Sequence, residues 1–391
     1  MKPIYLDYNA STPIDPEVVG EMLPYLRDRF GNPSSSHLYG RQAKEGIEEA
    51  RRRIAKLINA KASEIVFTSG GTESNNIALC GAAFANRTKG RRIVTSITEH
   101  PAVLNPCRWL LTQGFDVKYV GVDNLGVVDV EQLEELVDSS TILVSVMHAN
   151  NETGTVQPIR EIAEISHRRG ALFHTDAAQT IGKLKVDVKR TSIDLLSVAG
   201  HKFYAPKGIG ALFVRDGTKV EPFLRGAGHE HGLRPGTENT ASIVGLGKAA
   251  DIAKRTMSEY VPRMQSLRDR LHGLLLKSIA ELKLNGHPKK RLPNTLNVSV
   301  PGIDSESLLA STPELAASTG SACHADRREP SSVLTAMGVP EETALGALRL
   351  SLGKWSTEKE VDRASRMIGD KAATLVRYPF RLCEINPTRK R

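Results

Sequence analysis

The sequence of 391 residues is poor in cysteine and has no pair of cysteines spaced for metal binding. Its cysteines, Cys80, Cys107, Cys323 and Cys383, are far apart and include no CxxC motif. This spacing excludes the common zinc motifs, and a chain of this length does not depend on disulfides for its core. Isolated thiols are typical of a reducing compartment, so we expect a cytoplasmic protein with neither a metal site nor a disulfide framework.

Long apolar runs are missing as well. No run approaches the roughly 18 residues that a membrane-spanning helix needs. The opening residues, MKPIYLDYNASTP, also lack the apolar core of a secretory signal. The sequence therefore predicts neither a membrane partner nor export.

Basic residues outnumber acidic ones and give a formal net charge of +9, but they are spread along the chain. In residues 46–58, GIEEARRRIAKLI, bases alternate with acids, which is typical of a solvated helix face. A compact basic cluster occurs in the short tail at residues 386–391, NPTRKR. We therefore do not expect a nucleic-acid partner.

Short strand-like runs alternate with helical runs from about residue 60 to residue 215. This alternation predicts an α/β fold, with a mostly parallel seven-stranded sheet covered by helices on both faces. The last two runs are joined only by GHKFYAPKG, too short for a helical crossover, so these strands should be antiparallel neighbours. The expected strands are residues 64–69, 92–97, 116–122, 141–149, 171–176, 194–199 and 209–214.

The pattern changes after Gly245, where a long helical stretch at residues 246–284 is followed by short mixed segments. A chain of this length exceeds what one core usually serves. We predict a large domain over residues 16–257. Residues 258–391, together with residues 1–15, should form a smaller α+β domain.

Polar motifs follow most of the predicted strands. In chain order they are SGGTESNN, TEHPAV, ANNETG, DAAQ and GHK. Ligands of open α/β sheets bind beyond the carboxyl ends of the strands, which is where these motifs would meet. The sequence therefore predicts one ligand site at this edge of the sheet.

The motif that contains Gly71 and Thr72 has two interpretations. Its glycines precede a helix, and the first backbone N–H groups of a helix can hold an anion such as a monophosphate. Alternatively, it is a plain glycine turn with Thr72 as the helix cap.

The motif HTDAAQ places Asp176 and Gln179 three residues apart after a buried strand. A buried carboxylate needs a cation or a strong donor. A protonated pyridine nitrogen would be such a donor, and Gln179 would then reach the phenolic oxygen of the same ring. His100 could stack on a flat ring, although a single histidine is more often structural.

Lys202 lies at the end of a strand-like run. A lysine there is ordinarily a surface residue or half of an ion pair, and only rarely an amine held for covalent chemistry. An anion-binding turn, a carboxylate and a stacking imidazole at the same edge favour the rarer explanation. Together these groups predict pyridoxal 5′-phosphate bound to Lys202 as a Schiff base.

Eleven ordered motifs, from near the start of the chain to residue 353, carry a resemblance to a known family. The chain resembles the class V aminotransferase-like cysteine desulfurases and the related selenocysteine lyases, which implies a pyridoxal-phosphate transferase of fold type I. The motifs are YLDYNASTP, GNPSSSH, FTSGGTESNN, EHPAV, ANNETG, HTDAAQ, GHKFYAPKGIGALF, RPGTEN, LPNTLN, GSACH and ALRLSLG.

The resemblance implies roles for the matching residues. The implied substrate ligands are Asn151 and Arg349, the implied nucleophile is Cys323, and the enzyme would be a homodimer. Each active site would take Thr237 from the partner subunit to bind the phosphate. The other implied cofactor ligands are Gly71, Thr72, His100, Asp176, Gln179, His201 and Lys202, of which Lys202 and His100 would also be catalytic.

The implied reaction converts L-cysteine into L-alanine and holds the sulfur as a persulfide on Cys323. An acceptor protein, such as an iron–sulfur scaffold, would then take the sulfur. The segment around Cys323, residues 318–332, is polar and lacks helical or strand periodicity, so we expect an exposed loop. Arg327 and Arg328 in this loop would favour the thiolate.

One residue departs from the desulfurase pattern. Desulfurases usually have a serine three residues before the Schiff-base lysine, whereas this chain has Ala199. Selenocysteine lyases share an apolar residue there, so release of selenium from L-selenocysteine is an alternative function. An inactive platform for sulfur-relay proteins is a further alternative, which the presence of Lys202, Asp176 and Arg349 disfavours.

Overall fold

The computed structural model describes residues 3–319 and 329–377. Its strands are β1 Ile4–Tyr5, β2 Ile65–Thr68, β3 Arg92–Ser96, β4 Asp116–Val120, β5 Thr141–Ser145, β6 Leu172–Asp176, β7 Leu195–Ala199, β8 Gly210–Val214, β9 Lys283–Leu284, β10 Thr295–Ser299, β11 Leu315–Ala316, β12 Ser318–Thr319 and β13 Ala347–Ser351. Its helices are α1 Pro16–Arg27, α2 Leu38–Ile58, α3 Gly71–Asn76, α4 Ala82–Asn86, α5 Pro101–Thr112, α6 Val130–Leu136, α7 Ile159–Arg168, α8 Thr240–Ser278, α9 Ser305–Ala310, α10 Ser332–Ala336, α11 Glu341–Leu345 and α12 Glu358–Arg377.

The largest sheet has seven strands in the order β2-β8-β7-β6-β5-β3-β4. β8 pairs antiparallel with both β2 and β7, and the other neighbours are parallel. The prediction of a mostly parallel seven-stranded sheet whose last two strands are antiparallel is therefore confirmed. Since six strands share one direction, the loops that follow them collect at one edge.

Apolar side chains project from both faces of this sheet and are covered by helices on both sides. Alternate residues of one strand serve the two faces, with Val94 on one side and Ile93 on the other. The first face packs against α2, α7 and α8, and the second against α5 and the helical segment after β2. Burial on both faces explains why these strands are continuous apolar runs rather than alternating ones.

A second apolar core lies around the sheet β12-β13-β10-β9. The last turns of α8 and much of α12 contribute to it, as do Ile4 and Leu6 from the start of the chain. The two cores share α8, and the predicted domain boundary at residue 257 falls inside this helix. The division into two domains remains a prediction.

The long helix was predicted at residues 246–284, but α8 runs from Thr240 to Ser278. The side chain of Asn239 accepts a hydrogen bond from the backbone N–H of Ser242 and caps the helix start. Gly247 weakens the helical pattern near that end, yet it is needed because a Cβ there would lie 2.5 Å from Cα of Ala50 in α2. At the other end the chain turns into β9, which pairs with β10.

Within the described ranges, no helix combines the length and apolar character needed to cross a membrane.

Candidate active site

A cavity of about 330 Å³ opens at the edge where the strands of the large sheet end. Loops after β5, β6 and β7 line it, together with the starts of α3 and α5, residues from β13 and the segment after β1. It brings together nine of the predicted site residues, namely Gly71, Thr72, His100, Asn151, Asp176, Gln179, His201, Lys202 and Arg349.

Two predicted residues are not among this group. Thr237 is exposed and does not line the cavity of its own chain. Cys323, with Arg327 and Arg328, lies outside the described residues. At the two ends of the predicted loop at residues 318–332, Ser318 and Thr319 form β12 and Ser331 caps α10.

Asp176 ends strand β6 and is 8% exposed. Its Oδ2 accepts a hydrogen bond of 2.7 Å from Nδ2 of Asn75, and its Oδ1 accepts one of 2.9 Å from the backbone N–H of Ala178. A carboxylate has about four acceptor positions, so each oxygen can still accept from a ligand in the cavity. Asn75 was not predicted as a site residue, although it lies about one helical turn after Gly71 in α3.

Lys202 closes a short 3₁₀ turn, Gly200–Lys202, directly after β7. A Cβ on Gly200 would lie 2.9 Å from the carbonyl oxygen of Ile209, so only glycine allows this tight return toward β8. Nζ of Lys202 donates to the carbonyl oxygens of Asn9 at 2.6 Å and Ala10 at 3.0 Å. Burial and the nearby charge of Arg349 lower the pKa of Lys202 to about 8, which makes the neutral amine accessible near physiological pH.

His100 is the N-cap residue of α5. Its Nδ1 accepts a hydrogen bond of 3.0 Å from the backbone N–H of Ala102, so the ring proton of the neutral form is on Nε2. Burial lowers the pKa of His100, and Lys202 lowers it further despite the opposing effect of Asp176. The imidazole is therefore uncharged at neutral pH and presents an aromatic ring to the cavity.

Gly71 begins a helical segment that continues through a π turn, Ile77–Gly81, into α4. The N-cap is Gly70, and Thr72 lies within the first turn, so the alternative of Thr72 as helix cap is wrong. First-turn N–H groups have no intrahelical partner, and Gly71 and Thr72 both line the cavity. A Cβ on Gly71 would lie 3.3 Å from Cβ of Ala199, so the side chain at residue 199 faces this helix start.

Arg349 projects from β13 of the smaller sheet toward the cavity, and its side chain is 12% exposed. Its Nη2 donates to Oδ1 of Asp7 at 2.9 Å and to Oγ of Ser318 at 3.0 Å. Its Nε has no acceptor within the described part of the chain. Beside it, Asn151 follows β5 and also lines the cavity. The guanidinium thus keeps donor capacity for an anionic ligand.

Asn9 is a further residue that the motifs did not reveal as part of the site. Its carbonyl oxygen accepts from Lys202 and, at 3.0 Å, from Nε2 of Gln179. Its side chain is buried and donates to Oγ1 of Thr295 and to the carbonyl oxygen of Asn151. The segment after β1 is therefore fixed to the rest of the site by side-chain and backbone contacts.

The residues present fit pyridoxal 5′-phosphate. The first turn of a helix suits its phosphate, the carboxylate of Asp176 suits its ring nitrogen, and the amine of Lys202 suits its aldehyde. Oδ1 of Asn75 is buried at the cavity without a hydrogen-bond partner among the described residues, as expected of a group that awaits a ligand.

Comparisons with known proteins agree with this geometry. Residues 4–364 match the family model Aminotransferase class-V. The cysteine desulfurase IscS of Methanosarcina thermophila is 50% identical over 94% of this chain and 91% of its own length. The cysteine desulfurase IscS 1 of Archaeoglobus fulgidus is 49% identical over 92% of this chain and 94% of its own.

Solved structures give the same picture. A NifS-like protein superimposes with a TM-score of 0.89 at 40% identity, covering 95% of this chain and 100% of its own. A NifS-like protein from Rickettsia africae gives a TM-score of 0.86 at 32% identity, covering 95% and 99%. The structure titled SspA in complex with cysteine gives 0.80 at 39% identity, covering 90% and 99%.

Proposed function

Since this chain belongs to the class-V aminotransferase family, we propose that it is a cysteine desulfurase that uses pyridoxal 5′-phosphate to convert L-cysteine into L-alanine. The observation that carries the proposal is the convergence of Lys202, Asp176 and a helix start in one cavity, with Arg349 at its side. The names of its relatives and of similar structures support the same activity.

Six side chains and one helix start would hold the cofactor. Asp176 would accept from the ring nitrogen, Gln179 would donate to the phenolic oxygen, and the imidazole of His100 would stack on the ring. The first turn at Gly71 and Thr72 would bind the phosphate, with His201 and, from the partner subunit, Thr237. When bound, the cofactor would supply an electron-withdrawing ring that weakens bonds at Cα of the amino acid joined to it in place of Lys202.

The chain's own groups then act on the substrate. Arg349 and Asn151 would bind the substrate carboxylate, since a guanidinium offers paired donors to a planar anion. The neutral amine of Lys202 would take the proton from Cα. The carbonyl oxygens of Asn9 and Ala10, which already accept from Nζ, would stabilise the ammonium that results.

Cys323 would receive the sulfur. Its thiolate would attack the substrate sulfur while the bond between that sulfur and Cβ breaks. One cysteine and one enzyme thiol thus give one alanine and one enzyme persulfide, with no external oxidant. The persulfide would then pass its sulfur to an acceptor protein, such as an iron–sulfur scaffold.

Product analysis tests this function. The protein reconstituted with pyridoxal 5′-phosphate should release L-alanine from L-cysteine. The amount of L-alanine should equal the sum of the persulfide and the sulfide formed. The cofactor-free protein is the control and should release none. Equal rates with and without the cofactor, or no alanine at all, would refute the proposal.

Selenocysteine lyase activity is a second candidate because Ala199 stands where desulfurases usually have serine. Selenium leaves Cβ more readily than sulfur, so a lyase depends less on its nucleophile. The ratio of kcat/KM for L-selenocysteine to that for L-cysteine separates the two functions. A desulfurase should have a substantial kcat/KM on L-cysteine, whereas a selenocysteine lyase should have almost none.

A homodimer with shared sites is part of the proposal. Thr237 is exposed and seven residues beyond Glu230, whose carboxylate is fixed to Arg51 at 2.7 Å in the body of its own chain. An exposed threonine on an anchored loop is suited to serve the cavity of a second copy. A cytoplasmic location likewise remains a prediction.

Replacing Arg349 with Gln is expected to raise the KM for L-cysteine about 10- to 100-fold, with a smaller change in cofactor affinity. Hydrogen bonds to a charged group are worth about 1.5–3 kcal/mol, and glutamine offers one neutral donor in place of the charged fork. Steady-state kinetics measures the effect. Arg160→Gln, at an exposed position on α7, is the matched control, and an unchanged KM in Arg349→Gln would exclude this role.

Replacing Ala199 with Ser is expected to strengthen binding of pyridoxal 5′-phosphate about 5- to 10-fold. The new hydroxyl would face the helix start at Gly71 and donate to the phosphate, a gain of about 1 kcal/mol. The dissociation constant can be measured by titrating cofactor-free protein. Ala227→Ser, at an exposed position, should leave it unchanged, and weaker binding by Ala199→Ser would place the phosphate elsewhere.

A further inference from the structure

Lys183 is a buried lysine next to the active site that none of the sequence motifs indicated. It is 6% exposed, and its Nζ donates to Oε1 of Gln179 at 2.9 Å. No carboxylate lies within ion-pair distance of it in the residues that the structure describes. Burial and the charges of Lys202 and Arg349 lower the pKa of Lys183 to about 7. Burying an amine without a neighbouring carboxylate costs free energy, and such buried amines are typical of functional sites.

The turn that carries Lys183 is held in place from two sides. Gly182 has φ of +73°, and a Cβ there would lie 2.9 Å from Cβ of Phe203. The carbonyl oxygen of Gly182 accepts from the hydroxyl of Tyr260 in α8, and the backbone N–H of Lys183 donates to the carbonyl oxygen of Thr180. The side chain of Lys183 is therefore directed inward, toward the residue four positions before it.

The hydrogen bond from Nζ of Lys183 to Oε1 of Gln179 decides which way the amide of Gln179 points. The ammonium form of Lys183 has three donors and no acceptor, so it selects the amide oxygen of Gln179. The opposite end, Nε2, then donates to the carbonyl oxygen of Asn9 at 3.0 Å. Nε2 carries a second proton, and Gln179 lines the cavity. The cavity therefore meets an N–H donor rather than an oxygen.

We propose that Lys183 is a positioning residue that fixes the amide of Gln179 with its donor end toward the cavity, where it binds the anionic phenolic oxygen of pyridoxal 5′-phosphate. This inference rests on the proposed function for the identity of the acceptor. Lys183 itself lies behind Gln179 and acts on the cofactor through it.

Cofactor binding by Lys183→Met tests the inference. The variant keeps an unbranched side chain but leaves Oε1 of Gln179 without its donor. We expect the dissociation constant for pyridoxal 5′-phosphate to rise about tenfold. The apparent pKa of the visible absorbance should also rise, because the phenolic anion loses an oriented donor. Lys185→Met, at an exposed position two residues away, should match the wild type in both measurements.

A double-mutant cycle separates orientation of Gln179 from a direct effect of the Lys183 charge. In a Gln179→Ala background, Lys183→Met should weaken cofactor binding by no more than about twofold. Urea unfolding of the cofactor-free proteins provides the structural control. Lys183→Met should be at least as resistant as the wild type, because it removes a buried cation.

Three outcomes would overturn the inference. The first is cofactor affinity of Lys183→Met equal to the wild type, and the second is a tenfold loss that persists in the Gln179→Ala background. The third is a loss of affinity that is matched by loss of the folded cofactor-free protein, which would make Lys183 a structural residue. Absence of cofactor binding by the wild type would instead refute the proposed function and the inference with it.

Discussion

Lys202→Ala is expected to lower the turnover of L-cysteine by at least about 10³-fold, because the variant lacks both the amine that joins the cofactor and the base that takes the Cα proton. General-base catalysis alone contributes about 10²- to 10⁴-fold. Borohydride reduction of the wild type with pyridoxal 5′-phosphate should give a stable adduct on the peptide containing residue 202. The variant should give none. Steady-state kinetics measures the loss of turnover, and peptide mass mapping locates the adduct.

The amine of Lys202 should also titrate unusually low. In cofactor-free protein, its acylation by a small reagent should rise with pH, with a midpoint at about 8, because only the neutral amine reacts. An ordinary lysine titrates near 10.4. Arg349→Gln should move this midpoint upward, since Arg349 disfavours the charged amine. Lys207→Ala, at an exposed position nearby, is the control variant. In the borohydride experiment, an adduct of the wild-type protein at any residue other than 202 would contradict the assignment.

Cys323→Ser is expected to abolish persulfide formation and reduce desulfuration of L-cysteine to background, while cofactor absorbance stays at the wild-type level. A hydroxyl cannot accept the sulfur, and Cys323 has no predicted role in holding the cofactor. Mass mapping after reaction with L-cysteine should find the added sulfur atom on the peptide of residue 323 in the wild type.

Two other cysteines serve as internal controls for this experiment. Cys80 and Cys107 are buried and free, and burial raises the pKa of each thiol to about 12, so neither supplies a thiolate. Sulfur found on either of them, or full activity of Cys323→Ser, would remove the persulfide mechanism.

The sequence indicated much of this site because the relevant residues follow strands whose direction could be predicted. Asp176, Gln179 and Lys202 come directly after apolar runs of one parallel sheet, so their meeting at one edge follows from topology alone. Thr237 was assigned through a resemblance to known enzymes, and its position outside the cavity of its own chain leaves that assignment a prediction.

Asn9, Asn75 and Lys183 could not be recognised in the same way. Asn9 acts largely through its backbone carbonyl, which no residue type reveals. Lys183 follows a glycine and comes two residues before the exposed Lys185, so its segment is typical of a surface turn. The preceding Gly182 is held by Phe203 and Tyr260, which are distant along the chain. Contacts of this kind are set by packing, which neither periodicity nor spacing expresses.

The ion pair between Asp7 and Arg349 joins residues 342 positions apart and has a consequence for biosynthesis. One half of the substrate subsite is therefore translated 342 residues before the other. A nascent chain cannot complete the pocket until residue 349 has been made. Ribosome-bound chains that stop before residue 349 should accordingly not process the amino acid.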